Sequence, residues 1–126
     1  MNSVKTVLII DDDQGFQFYL SSILQEQYPD IEVLQAYNGE EAIILLKSLD
    51  AYPDLVFVDL NMPIMDGYDF LCIHKIQFQA HGSKVIVLTS SQSQKDYQKV
   101  LELEYVHDYL EKSTFEAAMI KQLGKI

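Results

Sequence analysis

Short apolar runs return about every 25 residues along this chain: Val7-Leu8-Ile9-Ile10, Ile31 to Ala36, Leu55-Val56-Phe57-Val58, Val85-Ile86-Val87-Leu88 and, more weakly, Tyr109-Leu110. Each has strand length, and most are rich in β-branched residues. A strand with one face in water alternates apolar and polar residues. Three of these five runs are instead continuous, as in a parallel sheet covered on both faces by helices. The stretches between them carry helical periodicity, with Phe16, Tyr19, Leu20, Ile23 and Leu24 on one stripe and Ala42, Ile43, Leu46 and Leu49 on another. Asn38 with Glu41 and Ser113 with Glu116 have capping-box spacing, and Ser93 with Asp96 resembles it, so helices are expected to start at those points. Tyr28-Pro29-Asp30, Ala51-Tyr52-Pro53-Asp54 and His81-Gly82-Ser83 interrupt the chain just ahead of the second, third and fourth strands.

Five alternating units with right-handed crossovers leave few topologies. The expected fold is α/β, a doubly wound five-stranded parallel sheet of the flavodoxin-like (βα)5 kind with strand order 2-1-3-4-5. At 126 residues the chain reads as one domain, residues 1–126, large enough to bury a core without disulfides or a structural metal.

Charge removes several classes of function. Nine lysines and no arginine stand against 19 acidic residues, a net charge of −10, which argues against direct nucleic-acid binding. Without arginine there is also no bidentate clamp for polyphosphates. A single cysteine, Cys72, excludes an intramolecular disulfide framework and a multi-cysteine zinc site. No apolar run approaches the roughly 18 residues of a membrane span, and the N-terminus lacks a secretory h-region, so a cytoplasmic location is expected.

In doubly wound sheets ligands gather at the carboxyl ends of the strands. There the first strand runs into Asp11-Asp12-Asp13 and the third into Asp59. Two like charges about 4 Å apart cost on the order of 4 kcal/mol at an effective dielectric near 20, so converging carboxylates take up protons or bind a cation. Magnesium suits an acid-only site that keeps waters and accepts phosphate oxygens, whereas zinc prefers histidine or cysteine. The fourth strand ends in Leu88-Thr89-Ser90 and the fifth in Leu110-Glu111-Lys112, adding a hydroxyl and an ammonium to the same rim. A carboxylate nucleophile, a metal, a lysine and a hydroxyl are the parts that aspartyl phosphate chemistry requires.

These segments, above all Leu55-Val56-Phe57-Val58-Asp59-Leu60-Asn61-Met62-Pro63-Ile64-Met65-Asp66-Gly67, resemble the receiver domain of two-component response regulators over essentially the whole chain, in the manner of a chemotaxis-type single-domain receiver. The resemblance implies that Asp59 accepts a phosphoryl group from a sensor histidine kinase or phosphotransfer protein. It implies that Mg2+ (or Mn2+) is held by Asp11, Asp12, Asp59 and the backbone carbonyl of Asn61. Thr89 and Lys112 then contact the phosphoryl group, and Thr89 and Tyr109 form the switch. Asp13 is the expected N-cap of the first helix. A downstream protein partner is expected on the face made by the fourth helix, fifth strand and fifth helix, with Lys95, Tyr97, Lys99 and Tyr105 as contributors.

Two departures from the family pattern stand out. Ser113 follows the lysine where receivers commonly have proline, often in a cis bond; without proline the cis form costs roughly 3 kcal/mol. Tyr105-Val106 replaces a frequent Gly-Ala pair, which predicts an altered loop before the fifth strand. Two other readings stay open. In a degenerate receiver the same fold binds partners without phosphorylation. In a phosphatase of the haloacid dehalogenase type, Asp11 is the nucleophile and Asp13 the second acid, but Gly15 is atypical there and Asp59 has no role. The chain ends directly after the expected fifth helix, so it reads as a stand-alone receiver acting by protein contact or as a fragment of a longer regulator, and in either case as a signalling domain rather than an enzyme.

Overall fold

The computed structural model describes residues 4–123. Five strands, β1 (Thr6–Ile10), β2 (Glu32–Ala36), β3 (Leu55–Val58), β4 (Lys84–Thr89) and β5 (Asp108–Glu111), alternate with α1 (Gln14–Gln27), α2 (Gly39–Ser48), α3 (Gly67–Gln77), α4 (Gln94–Leu101) and α5 (Met119–Leu123). The strands form one parallel sheet in the order β2-β1-β3-β4-β5, as the repeat of apolar runs predicts.

The continuous runs earn their place by burial on both sides. On β1, Leu8 and Ile10 pack with α2 and α3 residues such as Leu46 and Phe70, while Val7 and Ile9 face Leu20 and Leu24 of α1. β3 divides in the same way, Val56 and Val58 to one layer and Leu55 and Phe57 to the other. Every residue from Leu55 to Leu60 is buried. The Asp54 carboxylate accepts the backbone N–H groups of Lys5 (2.7 Å) and Thr6 (3.0 Å), fastening the entry of β1 to that of β3.

Helix starts follow side-chain capping. Asp13, Asn38, Asp66 and Ser93 each accept the N–H three residues on, at 3.1, 2.9, 2.9 and 3.2 Å. Glu41 reaches back from α2, but to the N–H of Tyr37 (3.1 Å) rather than that of Asn38, one residue off the usual box.

The carboxy-terminal unit departs from expectation. Ser113 does not cap the fifth helix: Lys112–Thr114 is a short 3-10 turn, and α5 begins only at Met119. The physical reason is Phe115, whose burial against the α1 layer, together with the hydrogen bond from Gln27 to the Ala117 carbonyl (2.7 Å), holds the chain in an irregular path. The Lys112–Ser113 bond is trans. In the loop before β5, Glu104 has φ 62°, a left-handed conformation uncommon outside glycine. Tyr105, expected on a partner-binding surface, turns its hydroxyl inward: it donates to the Leu71 carbonyl of α3 (2.9 Å) and lies 3.2 Å from Nδ1 of the buried His74. Among the described residues no helix is long and apolar enough to cross a membrane.

Candidate functional site

The parallel register decides which side chains share the rim. Ile10 pairs with Val58, so Asp11 and Asp59, the next residues of β1 and β3, leave the sheet side by side. Their backbones are fixed independently of their charges: Asp11 N–H donates to Ala36 and Asp59 N–H to Ile10, at 3.0 and 2.9 Å. Thr89 ends β4 opposite Glu111, which puts Lys112 one step further along the same rim.

Four of the predicted residues meet there. Carboxylate oxygens of Asp11, Asp12 and Asp59 all lie within 4.8 Å of one another, Asp11 and Asp59 buried and Asp12 exposed. The Lys112 ammonium lies 2.7 Å from Asp11 Oδ2 and 3.5 Å from Asp59 Oδ2, so it leans on the first acid more than on the second. Asp11 Oδ1 accepts the N–H of Asp13 (2.9 Å). Burial raises the Asp11 pKa, only partly offset by hydrogen bonds from Lys112 and the Asp13 N–H, and the Asp59 charge adds to the rise. For Lys112, burial works against the ammonium, but Asp11 and Asp59 outweigh it and its pKa stands above the ordinary lysine value.

A hard divalent cation fits this donor set. Oxygens bound to magnesium at about 2.1 Å lie about 3–4 Å apart, and oxygens of these three carboxylates already lie within 4.8 Å of one another. Asp59 Oδ1 is buried and has no hydrogen-bond partner, an orphaned acceptor that a cation or its water would satisfy. Asn61 stands exposed two residues beyond Asp59, in the loop that leads to α3. Asp13 is committed to capping α1 through the Phe16 N–H and so stands apart from the metal set, as its place in the sequence predicts.

Thr89 and Tyr109 lie on the β4–β5 side. Thr89 is fully buried and its Oγ1 accepts the Ser91 N–H (3.1 Å). The Ser91 hydroxyl donates to Asp96 (2.7 Å), which ties this loop to α4. Tyr109 is half-buried with its hydroxyl inside and without a partner of good geometry; its ring meets Tyr97 edge-on, 5.0 Å between centroids. Burial raises its pKa, the Asp96 charge adding to the effect and the nearby Ser91 opposing it.

Two contributors escape sequence reasoning. Gln17 is buried beneath the rim, and its amide nitrogen lies 3.0–3.1 Å from the carbonyls of Ile9, Asp11 and Ala36, groups at the strand ends. Its signal is a polar residue set among the apolar positions of α1. Phe16, legible only as a member of the apolar stripe, faces the Lys112 ammonium 4.4 Å from its ring centroid.

Known proteins resemble this chain in sequence and fold. The family model for the response regulator receiver domain matches residues 7–123. A protein-glutamate methylesterase/protein-glutamine glutaminase of Myxococcus xanthus is 38% identical over 118 residues, 90% of this chain and 32% of the relative. The chain thus spans about a third of the length of that curated relative. Among solved structures, the phosphorylated cyanobacterial phytochrome response regulator RcpA superposes with a TM-score of 0.81 at 25% identity, covering 98% of this chain and 90% of that one. The Mn2+-bound response regulator Rcp1 gives 0.79 at 26%, covering 95% and 89%. With its sheet order, its rim of strand-end acids and this match over nearly the full length, the chain belongs to the response regulator receiver domain family.

Proposed function

We propose that residues 1–126 act as one receiver domain in a two-component or phosphorelay pathway of the cytoplasm, taking a phosphoryl group on Asp59 from a sensor histidine kinase or phosphotransfer protein. The observation that carries the reading is Asp59 itself: a buried carboxylate with one unpartnered oxygen, flanked by two further acids and reached by a lysine ammonium. In the reaction a carboxylate oxygen of Asp59 attacks phosphorus, the phosphorus–nitrogen bond of the phosphohistidine breaks, and the leaving imidazole keeps its electron pair. Asp11, Asp12, Asp59 and the Asn61 carbonyl hold Mg2+ or Mn2+, which supplies charge neutralisation for the transferring group. The metal and phosphoryl states named for Rcp1 and RcpA support this reading by similarity.

The rest of the rim answers the new charge. Lys112 exchanges part of its pairing with Asp11 and Asp59 for a phosphoryl oxygen, and the Thr89 hydroxyl donates to another. Because Thr89 already holds the Ser91 N–H and Ser91 holds Asp96, movement of Thr89 pulls on α4. The α4–β5–α5 face is the output surface, with grooves of about 310 and 270 Å3 on either side of Tyr97 and Tyr109. The phosphoryl group shifts this equilibrium by its differential stabilisation of one arrangement. The phosphatase reading loses support because Asp13, its second acid, is spent on capping α1.

Intact-protein mass spectrometry after incubation with magnesium and phosphoramidate tests the proposal. One phosphoryl adduct, lost in Asp59→Asn, supports it. An adduct that survives in Asp59→Asn but disappears in Asp11→Asn contradicts it, and no adduct in wild type with magnesium bound points to the degenerate receiver.

A further inference from the structure

The Lys112 ammonium is held on three sides. Two are the carboxylates of Asp11 and Asp59, and the third is the face of Phe16, 4.4 Å from the ring centroid. The lysine side chain is 15% exposed, so little water shares the site with it. An aromatic face attracts a cation through its quadrupole, and more strongly where the cation is desolvated. The ring is fixed in its turn. The Phe16 N–H donates to the capping carboxylate of Asp13 (3.1 Å), and Tyr19 backs the ring from the next turn of α1, 5.8 Å between centroids. Asp13, which belongs to neither the metal set nor the acceptor, thereby has a place in the site through Phe16.

Asp11 carries two duties: it is the nearest partner of Lys112 and a member of the acid set that fits a divalent cation. A lysine held only by carboxylates would lose its seat whenever those oxygens are taken. The ring competes for no cation ligand. We propose that Phe16 is a positioning residue for phosphoryl uptake, its ring face keeping the Lys112 ammonium beside Asp59 when Asp11 is otherwise engaged. The inference rests on the phosphoacceptor reading of Asp59 and adds to it a residue of α1.

The test measures the rate of phosphoryl uptake from phosphoramidate at saturating magnesium, followed by intact mass. It compares wild type, Phe16→Leu, Phe16→Tyr and a protein in which Phe16 is replaced by a ring-fluorinated phenylalanine of the same shape. Loss of the aromatic face is expected to slow uptake about thirty-fold, the size of one desolvated cation–π contact. Phe16→Tyr restores the rate, and the fluorinated ring behaves like leucine although its packing is preserved. In a Lys112→Ala background Phe16→Leu has no further effect. Wild-type rates for both the leucine and the fluorinated protein overturn the inference while leaving Asp59 as acceptor. So does equal slowing by Phe16→Leu with and without Lys112, which would mark Phe16 as packing alone. A wild type that takes up no phosphoryl group overturns the acceptor reading, and this inference with it.

Discussion

The rim at the ends of β1 and β3 and the edge formed by α4, β5 and α5 belong to one sheet, yet they are built differently. β1 and β3 are buried along nearly their whole length, and their acids emerge from backbone fixed on both sides. β5 is half-buried at best, α4 buries only Val100, and the chain after β5 reaches α5 through a 3-10 turn. The first region has geometry without freedom and the second has freedom with little packing. Local stability follows buried contacts, so the rim is suited to place charges and the edge to move in response. Thr89, Ser91 and Lys112 join the two.

The largest effect expected from disturbing this contrast lies at the rim. A Cβ at Gly67 would sit 2.7 Å from Leu60 Cα and closer still to the Asp59 carbonyl oxygen, all of it backbone. Gly67→Ala should therefore cost more than about 4 kcal/mol, or prevent folding, in urea denaturation. A mild loss would mean that the β3–α3 loop yields and the rim is softer than its packing implies.

Tyr105 fastens the edge to His74 and Leu71, and the burial of His74 makes stability depend on pH. Burial, with His81 adding, lowers the His74 pKa from 6.5 to about 4, so the native protein carries neutral imidazole. The unfolded chain takes up the proton near 6.5, and the stability of the neutral form is therefore present above that pH and lost as pH falls toward 4. From pH 7.5 to pH 5 the expected loss is about 2 kcal/mol. His74→Phe should remove that part of the dependence; denaturation curves of both proteins at the two pH values measure it.

Magnesium comes next. A cation that relieves repulsion among Asp11, Asp12 and Asp59 in the native state alone should stabilise by about 1.4 kcal/mol at ten times its Kd. Thermal melts should show the shift in wild type and not in Asp12→Asn; an unmoved wild-type midpoint would contradict the metal set. The smallest effect is a gain. Ile64, 78% exposed in the β3–α3 loop, has φ 68°, a conformation that costs a β-branched residue about 1 kcal/mol or more. Ile64→Gly should raise stability by about 0.5 kcal/mol, the strain relieved less the extra freedom that glycine gives the unfolded chain, without changing phosphoryl uptake.

Legibility in the sequence divides along the same line. Strands covered on both faces leave continuous apolar runs, so β1, β3 and β4 and the residues directly after them could be read by position, Asp11, Asp59 and Thr89 included. Lys112 is legible through the short run Tyr109-Leu110 and the resemblance together. The carboxy-terminal unit misleads because Ser113 and Glu116 carry a local capping signal, whereas the non-local burial of Phe115 determines the path. Tyr105 is legible as a departure from the family pattern, but its direction depends on His74, 31 residues away, which no local pattern reveals. Phe16 and Gln17 look like ordinary helix residues until the fold brings Lys112 and the strand-end carbonyls to them.

Amide hydrogen exchange of wild type and Asp59→Asn, each with magnesium and phosphoramidate and with the adduct confirmed by intact mass, tests the division of labour directly. Phosphorylated wild type should show unchanged slow exchange in β1 and β3. Altered protection should be confined to the β4–α4 loop, α4 and β5, with no change in Asp59→Asn. An adduct that leaves residues 89–111 unaltered, or that loosens β1 and β3 as much as the edge, would contradict the account.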